Sequence, residues 1–389
     1  MNRPPGGAPM PAPPAMPGPM RLLHVADVHL GAPLRVLGDR GAEQREQIRR
    51  TFARCVDLAL EQGCQVVLIA GDLFDCPHPP RALVEFAGEQ LRRLLAAGIR
   101  VFATWGNHDG GTDSVWVHPQ FRERIAGVTV FGEELQTVVL EDLDLSVTGC
   151  SPRPGAGRSP LADWEPRRVT TFAVGMAHGS AYRGGQSERP DAIRPEQIRL
   201  LGLDYLALGD WHSAQEVHPP PQAAWYAGAP ELLNIDQPGS GHVLLVTLHR
   251  PGAATVEPVR VGRRILRRES ADAADVNEEA LRTLLEEWAD PDTVLDLRIR
   301  GLRPVDHTLP VDALEREFAD RFFRLRIADV SHPRLDPEEL DRFEATTVLG
   351  EFVRRMGQQI EQAPPERRAL LEEALQIGVA ALQGKEVGP

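Results

Sequence analysis

Lysine is almost missing from this 389-residue chain. Lys385 is the only one, so nearly all positive charge sits on arginine. Base composition of the coding sequence accounts for that bias, although the planar guanidinium also suits bidentate phosphate contacts. A basic balance is missing too. The formal net charge is −13 and the pI about 5.5, which excludes a global positive field drawing the whole molecule to nucleic acid. Cysteine is scarce: Cys55, Cys64, Cys76 and Cys150 show no CxxC spacing. That excludes a disulfide framework and points to a reduced, cytoplasmic setting. No run of about 20 apolar residues occurs, which excludes a membrane-spanning helix. With 42% hydrophobic residues, a chain this long can bury a large core and is expected to form two or three domains.

Residues 1–19 are almost wholly Pro, Gly, Ala and Met. They lack the apolar stretch of a signal peptide and read as a disordered leader, with Met20 as an alternative initiator.

What the chain does have is a series of polar strand ends. Leu22–Ala26 reads as an apolar strand ending in Asp27-Val28-His29, and strand alternation puts Asp27 and His29 on one face. A helix over about 43–62 carries the stripe Ile48, Phe52, Val56, Leu60. Val66–Ala70 is a continuous apolar run, hence a strand covered on both faces, and it ends in Gly71-Asp72-Leu73-Phe74-Asp75. A second helix, about 80–97, leads to the strand Ile99–Thr104 and then to Gly106-Asn107-His108-Asp109. This alternation of strand and helix with acid at each strand end is the pattern of an α/β sandwich, and ligand sites form beyond such strand ends. Shorter strands over 128–131, 137–140 and 145–149 read as a meander opening a second sheet. The loop 151–168 follows, then a strand over 170–177 ending in His178-Gly179-Ser180. After a helix near 195–201, the strand Tyr205–Leu208 ends in Gly209-Asp210-Trp211-His212. Strands over 242–249 and 254–259 are expected to close the second sheet.

Asp27-x-His29, Gly71-Asp72-x-x-Asp75, Gly106-Asn107-His108-Asp109, His178 and Gly209-Asp210-x-His212 together resemble, in order and position, the calcineurin-like metallophosphoesterase superfamily. Within it the chain is most similar to the SbcD-type DNA repair exonucleases, with Ala26-Asp27-Val28-His29-Leu30-Gly31 and Tyr226-Ala227-Gly228-Ala229-Pro230-Glu231 as further points of likeness. The resemblance covers about residues 21–259. It implies a four-layer α-β-β-α sandwich over 20–260, a small α+β capping, DNA-contacting domain over 261–330 and a helical C-terminal segment over 331–389. It also implies two divalent metal ions, Mn²⁺ with Fe or Zn as alternatives. Two such ions about 3.5–4 Å apart activate a water and clamp the phosphate oxygens of an in-line displacement. By resemblance Asp27, His29 and His212 hold one ion, Asn107 and His178 the other, and Asp72 bridges them. His108 would then either protonate the leaving alcohol or stabilise the transferring phosphoryl charge, with Asp109 orienting its imidazole. Asp75 has either a similar role or a structural one in its turn. The fifth motif ordinarily reads Gly-His-x-His, so Asp210 stands where a histidine is usual. Either its carboxylate keeps ligating, favouring a harder metal, or the second metal is weakened. His24, His78, His118, His218, His242, His249, His307 and His332 match no motif and read as satisfied or solvated.

Beyond residue 260 the composition shifts to a basic run, Arg263–Arg268, then alternating helices and strands. Arg298 with Arg300, and Arg324 with Arg326, alternate along strands and share a face, either for phosphate contacts without sequence preference or as a solvated sheet face. The last helices carry the stripes Val348, Leu349, Phe352, Val353, Met356 and Leu370, Leu371, Leu375, Ile377. They either pack on the chain itself or dock an SbcC-type coiled-coil ATPase, the partner that the resemblance implies. A homodimer through the early helices is a further implication. Three functions compete: a nuclease acting on DNA ends, a phosphodiesterase or phosphatase for small molecules or phosphoproteins, and a weakly active scaffold. The extra module after residue 260 argues against the second, and the intact Asn107-His108-Asp109 against the third.

Overall fold

A computed structural model describes residues 18–153, 157–165, 168–181, 190–235, 238–303, 309–344 and 346–384. Of the leader expected over 1–19, only Gly18 and Pro19 fall among them, both exposed; His307 and Lys385 lie outside the described residues. The chain divides after Arg263 into two units.

The first unit begins with β1 (Met20–Val25), α1 (Gly41–Glu61), β2 (Val66–Ala70), α2 (Arg81–Ala96) and β3 (Arg100–Thr104). It continues through α3 (Pro119–Arg124), β4 (Thr129–Phe131), β5 (Gln136–Leu140), β6 (Leu145–Gly149) and β7 (Phe172–His178). It ends with α4 (Pro195–Leu200), β8 (Tyr205–Gly209), β9 (Gln215–His218), β10 (Ala223–Tyr226), β11 (His242–Arg250) and β12 (Ala253–Arg260). Two six-stranded sheets result, ordered β12-β11-β1-β2-β3-β4 and β5-β6-β7-β8-β10-β9. In each the central strands run parallel, and antiparallel pairing is confined to the edges. Alternate residues of the two sheets, including Leu22, Leu68, Phe102, Phe131, Val147, Val174, Met176 and Leu244, meet in one buried core. The other face of the first sheet is covered by α1 and α2 through Ile48, Phe52, Val56 and Leu94. The other face of the second is covered by α4 and the segment around Leu161 and Trp164. These are the four layers, α-β-β-α, that the strand and helix order implies.

Two expectations are corrected. β11 and β12 close the first sheet, not the second, because β11 pairs antiparallel with the free edge of β1. The corresponding edge of the second sheet is already occupied by the polar strand β9, hydrogen-bonded to β10, and neither β9 nor β10 carries a pattern that marks it as a strand in the sequence. β4 likewise belongs to the first sheet, parallel to β3. A parallel partner needs a crossover connection, and the short helix α3 that supplies it is too brief to announce itself by periodicity.

The second unit comprises β13 (Ile265–Asp272), α5 (Glu278–Trp288), β14 (Thr293–Arg300), β15 (Leu302–Arg303), α6 (Val311–Phe318), β16 (Arg324–Asp329) and β17 (His332–Pro333), followed by α7 (Pro337–Asp341), α8 (Val348–Gln362) and α9 (Pro365–Leu382). β13, β14 and β16 form a parallel sheet. The helices bury Leu281, Leu285, Leu314 and Phe318 against Leu295, Leu297, Ile299 and Ile327 on one face. The pairing Val294↔Arg324, Asp296↔Arg326 and Arg298↔Ala328 puts Arg298, Arg300, Arg324 and Arg326 together on the opposite face. There Arg326 lies 3.9 Å from the buried Asp296. α8 packs on α9. Gln376 exchanges two 2.8 Å hydrogen bonds with the backbone of Leu335, which ties α9 to the segment before α7. Much of the expected apolar stripe stays in solvent: Val348 is 78% and Leu370 64% exposed, while Leu375 is buried.

One polar pair crosses the core of the first unit. His24 of β1 and Tyr205 of β8, both fully buried, are joined by a 2.8 Å hydrogen bond between Nδ1 and the phenol oxygen. Burial drives the imidazole down to about 3, against the Leu208 carbonyl, which as an acceptor raises it. A histidine whose folded value lies below its unfolded one, about 6.5, contributes stability that is complete above that pH. The contribution is lost as pH falls below about 6.5, at up to about 1.4 kcal/mol per pH unit. His24→Gln is therefore expected to flatten the loss of stability between pH 6.5 and 4, read as the difference in urea unfolding free energy from the parent chain.

Candidate metal centre

Five segments meet at the carboxyl ends of the parallel strands. The loops after β1 and β2 are zipped together by backbone bonds, Asp27 N to Gly71 O at 3.1 Å, His29 N to Asp72 O at 3.0 Å and Leu30 N to Leu73 O at 2.9 Å. Asp27 and His29 converge, but not by strand alternation as the sequence suggests: β1 ends at Val25 and both residues adopt left-handed backbone, φ 52° and 50°. Asp72 (φ 49°) and Asp210 (φ 106°) do the same. Such a conformation costs a non-glycine residue roughly 1–3 kcal/mol and persists where the surroundings over-determine it. Two glycines allow the close approach. A Cβ on Gly106 would collide with the Asp72 carboxylate, and one on Gly209 with the Ala70 carbonyl oxygen.

The side chains form one cluster. His29 Nε2 and His212 Nε2 face each other at 3.2 Å, and Asp27, His29 and His212 present donor atoms within 4.8 Å of one another. Asp72 Oδ2 lies 3.6 Å from His29 Nε2 and 3.4 Å from His178 Nε2, so it sits between the two groups. Asn107 Oδ1 is 2.8 Å and Asp210 Oδ1 3.9 Å from His178 Nε2. The structure thus brings together Asp27, His29, Asp72, Asn107, His178, Asp210 and His212. His108 Nδ1 or Nε2 also comes within 4.8 Å of donor atoms of His29 and Asp72, with its ring edge-on to His29 at 4.7 Å between centroids.

The donor set fits divalent metal. Asp27 is fully buried, yet its Oδ2 has no hydrogen-bond partner, a costly state for a carboxylate oxygen without a cation. His29 Nδ1 is bonded to Asp75 Oδ1 at 3.0 Å and His178 Nδ1 to the Ala70 carbonyl at 3.0 Å. Both partners accept, so each Nδ1 carries the proton and each Nε2 turns toward the cluster, the arrangement typical of metal-ligating histidines. Charge is correspondingly perturbed. Burial lifts Asp27 to about 7, eased by His178. Burial would lower His178, but the neighbouring Asp72 outweighs it and raises the imidazole to about 10. Burial would raise Asp72, and its bond to His178 instead holds it well below the usual carboxylate range.

Two further carboxylates differ from expectation or settle it. Asp109 does not orient His108. It is buried beneath the loop, where it accepts hydrogen bonds from Gly106 N (2.8 Å), Phe74 N (3.1 Å) and Trp116 Nε1 (2.8 Å). The His108 side chain is exposed while Asp109 is buried, and the carboxylate serves two backbone N–H groups and an indole instead of the imidazole. Asp75 is the carboxylate near His108, at 3.9 Å from Nδ1, besides its bond to His29. Sequence reasoning missed Trp116 and Ser180. The Ser180 hydroxyl donates to Asp210 Oδ2 at 2.5 Å; its place two residues after His178 is the only signal the sequence offers. Glu231, part of the motif after β10, is buried and accepts from Thr51 of α1, Leu232 N and Arg263 N, a structural tie away from the cluster.

A two-sheet α/β sandwich with carboxylate, imidazole and amide donors converging at its strand ends defines a metal-dependent phosphoester hydrolase. The chain belongs to the calcineurin-like phosphoesterase family, whose model matches residues 20–247. It is 33% identical over 272 residues to the DNA double-strand break repair protein Mre11 of Aeropyrum pernix, covering 66% of this chain and 64% of that protein. Mre11 of Methanopyrus kandleri is 40% identical over 232 residues, 56% of this chain and 50% of that one. The SbcD subunit of the nuclease SbcCD of Escherichia coli K12 is 25% identical over 407 residues, 83% of this chain and 94% of that protein. The chain thus spans between half and two-thirds of the length of the two Mre11 proteins.

The hub position of Asp109 generates a test. Asp109→Ala removes the acceptor of two buried N–H groups and an indole, and is expected to destabilise the first unit by roughly 3 kcal/mol or more. Trp116→Phe, which removes one of the three bonds, should cost about 1–2 kcal/mol; both are read by urea unfolding.

Proposed function

We propose that this protein is a metal-dependent DNA nuclease that hydrolyses backbone phosphodiesters at DNA ends through a two-metal site, in double-strand-break repair with an SbcC-type coiled-coil ATPase. The observation that carries the reading is the buried donor cluster with its orphaned Asp27 oxygen. Likeness to the SbcD subunit over 83% of the chain adds the choice of DNA over smaller esters. Asp27, His29 and His212 would hold one ion, Asn107, His178 and Asp210 the other, and Asp72 both. Bound there, two Mn²⁺ ions (Fe or Zn being the alternatives) supply Lewis-acid polarisation of the phosphate and an activated water.

The remaining chemistry falls to the chain. His108 is half-exposed at the rim, its side chain 46% accessible, so its imidazole can follow a substrate oxygen. Its backbone N–H is fixed to Asp72 Oδ1 at 2.9 Å. Asp75 lies 3.9 Å from His108 Nδ1, and Nε2 would be the atom that gives a proton to the departing alkoxide. The arginine face of the second unit, Arg298, Arg300, Arg324 and Arg326, is the proposed contact for phosphates along the strand, a contact that positions without reading sequence. α8 and α9, with Val348 and Leu370 exposed, are the proposed docking element for the ATPase, and a homodimer is part of the same reading. Among the described residues no helix is long and apolar enough to cross a membrane.

The test is Mn²⁺-dependent degradation of end-labelled linear DNA beside a small phosphodiester. His108→Ala should lower kcat on DNA by about 10²–10⁴ while two ions per chain stay bound. Hydrolysis confined to the small ester would place the protein with general phosphodiesterases. No turnover of either, with fewer than two ions bound, would leave a scaffold.

A further inference from the structure

The two halves of the donor cluster are not chemically alike. Around Asp27 gather two imidazoles, His29 and His212. On the far side of Asp72, His178 is the single nitrogen donor, flanked by the Asn107 amide oxygen at 2.8 Å and the Asp210 carboxylate at 3.9 Å. One position is therefore half nitrogen, while the other is dominated by oxygen.

Asp210 is placed there by several independent contacts. Its backbone lies in the left-handed region, φ 106°, and its N–H donates to Asp27 Oδ1 at 3.0 Å. Its Oδ2 accepts the 2.5 Å hydrogen bond from Ser180 Oγ, which turns Oδ1 toward His178. Ser180 is itself held. The preceding Gly179 N–H donates to Gly209 O at 3.1 Å, and the Gly179 carbonyl accepts from the Tyr226 hydroxyl at 2.6 Å. The ends of β7 and β8 thus form one frame, and among the described residues the side chain it aims at the second carboxylate oxygen is the Ser180 hydroxyl.

We propose that Ser180 is a positioning residue that holds Asp210 as a one-oxygen ligand, so that the Asn107–His178 position favours a hard divalent ion such as Mn²⁺, relative to Zn²⁺, more than the Asp27–His29–His212 position does. This rests on the two-metal reading above. Carboxylate and carbonyl donors suit Mg²⁺ and Mn²⁺, whereas imidazole donors suit Zn²⁺ and Fe. A hydroxyl bonded to one carboxylate oxygen fixes the direction of the other and prevents it from turning to solvent. Groups that orient ligands in this way typically contribute 10–100-fold in metal affinity. Because the Ser180 hydroxyl is directed at Asp210, its influence runs through that carboxylate and is confined to one position of the pair.

The experiment is titration of the metal-stripped full chain with Mn²⁺ and, separately, Zn²⁺ by calorimetry, with electron paramagnetic resonance of the Mn²⁺ pair. The parent chain is expected to bind two Mn²⁺, with a higher ratio of Mn²⁺ to Zn²⁺ affinity at its weaker position than at its tighter one. Ser180→Ala should weaken one Mn²⁺ site by about 10–100-fold, leave the other unchanged and abolish the exchange-coupled signal at limiting metal. Ser180→Thr, which keeps the hydroxyl, should restore both. Asp210→His should shift the weaker position toward Zn²⁺, and in that background Ser180→Ala should have no further effect. The proposal is overturned if Ser180→Ala leaves both Mn²⁺ sites intact, weakens them equally, or lowers the melting temperature in step with affinity. It is equally overturned if Asp210→His leaves the metal preference unmoved. Fewer than two ions on the parent chain would instead sink the two-metal reading itself, before Ser180 enters.

Discussion

Buried carboxylates crowded onto one another are the constraint around which the first unit is built. Asp27, Asp72 and Asp109 are all shut away from water, and desolvation would make each of them give up its charge. They are reconciled in three different ways. Asp109 is satisfied by one N–H of its own loop, at Gly106, one of the loop after β2, at Phe74, and the Trp116 indole. Asp72 is paired with imidazole, which pulls it down and His178 up. Asp27 keeps an oxygen with no partner and is pushed up to about 7. The hydrogen bonds mark where positive charge is wanted: both Asp109 oxygens have donors, whereas an Asp27 oxygen has none. Three of the left-handed residues around that point, Asp27, His29 and Asp72, are tolerable because backbone bonds between the first two loops hold them, and the fourth, Asp210, is held by its N–H on Asp27 Oδ1.

That arrangement explains which parts of the molecule could be read from sequence. Each strand-end motif is local: a few adjacent residues whose types suit one chemistry, following an apolar run long enough to be a buried strand. Asp27, His29, Asp72, Asn107, His178, Asp210 and His212 could be gathered without knowing how the strands pair. Sheet membership could not. β11 has a clear strand pattern, yet nothing in it states whether it adds beside β1 or beyond β10. The answer depends on β9, a polar four-residue edge strand with little apolar signal. β4 is misplaced by its sequence for a similar reason, since its assignment depends on the six-residue helix α3. Asp109 shows the limit within a motif. Adjacency to His108 suggests a shared task, whereas the Asp109 side chain is buried and that of His108 exposed.

The second unit is legible in a different way. Its elements follow the expected succession of strands and helices, but the small α+β module read from the sequence leaves open the parallel pairing of β13, β14 and β16. Alternation alone predicts that Arg298 and Arg300 share a face, and likewise Arg324 with Arg326. That all four lie together requires the register of β14 against β16, which no pattern in the sequence supplies. The C-terminal stripes are the least informative. Leu375 and Val379 are buried while Leu370 and Val348 are not, because two helices packed on each other need only a narrow seam and leave the rest of a broad apolar face outside.

The proposed proton donor gains most from this division of labour. A group that delivers a proton to a departing oxygen has to remain accessible while its main chain stays fixed, since a drift of about 1 Å in such a group can cost two orders of magnitude in rate. His108 meets both demands through its neighbours. Its own N–H is bound to Asp72, and the next residue, Asp109, anchors the loop to Phe74 and Trp116 beneath. The backbone is thereby held at two successive residues, and the imidazole, stacked edge-on against His29, is left with only its side-chain torsions. The carboxylate 3.9 Å from its Nδ1 comes from a different loop, at Asp75, which is bonded to His29 as well. Changes at the metal ligands therefore reach the proposed proton donor by more than one route, through Asp72 to its backbone N–H and through Asp75, which is bonded to the ligand His29.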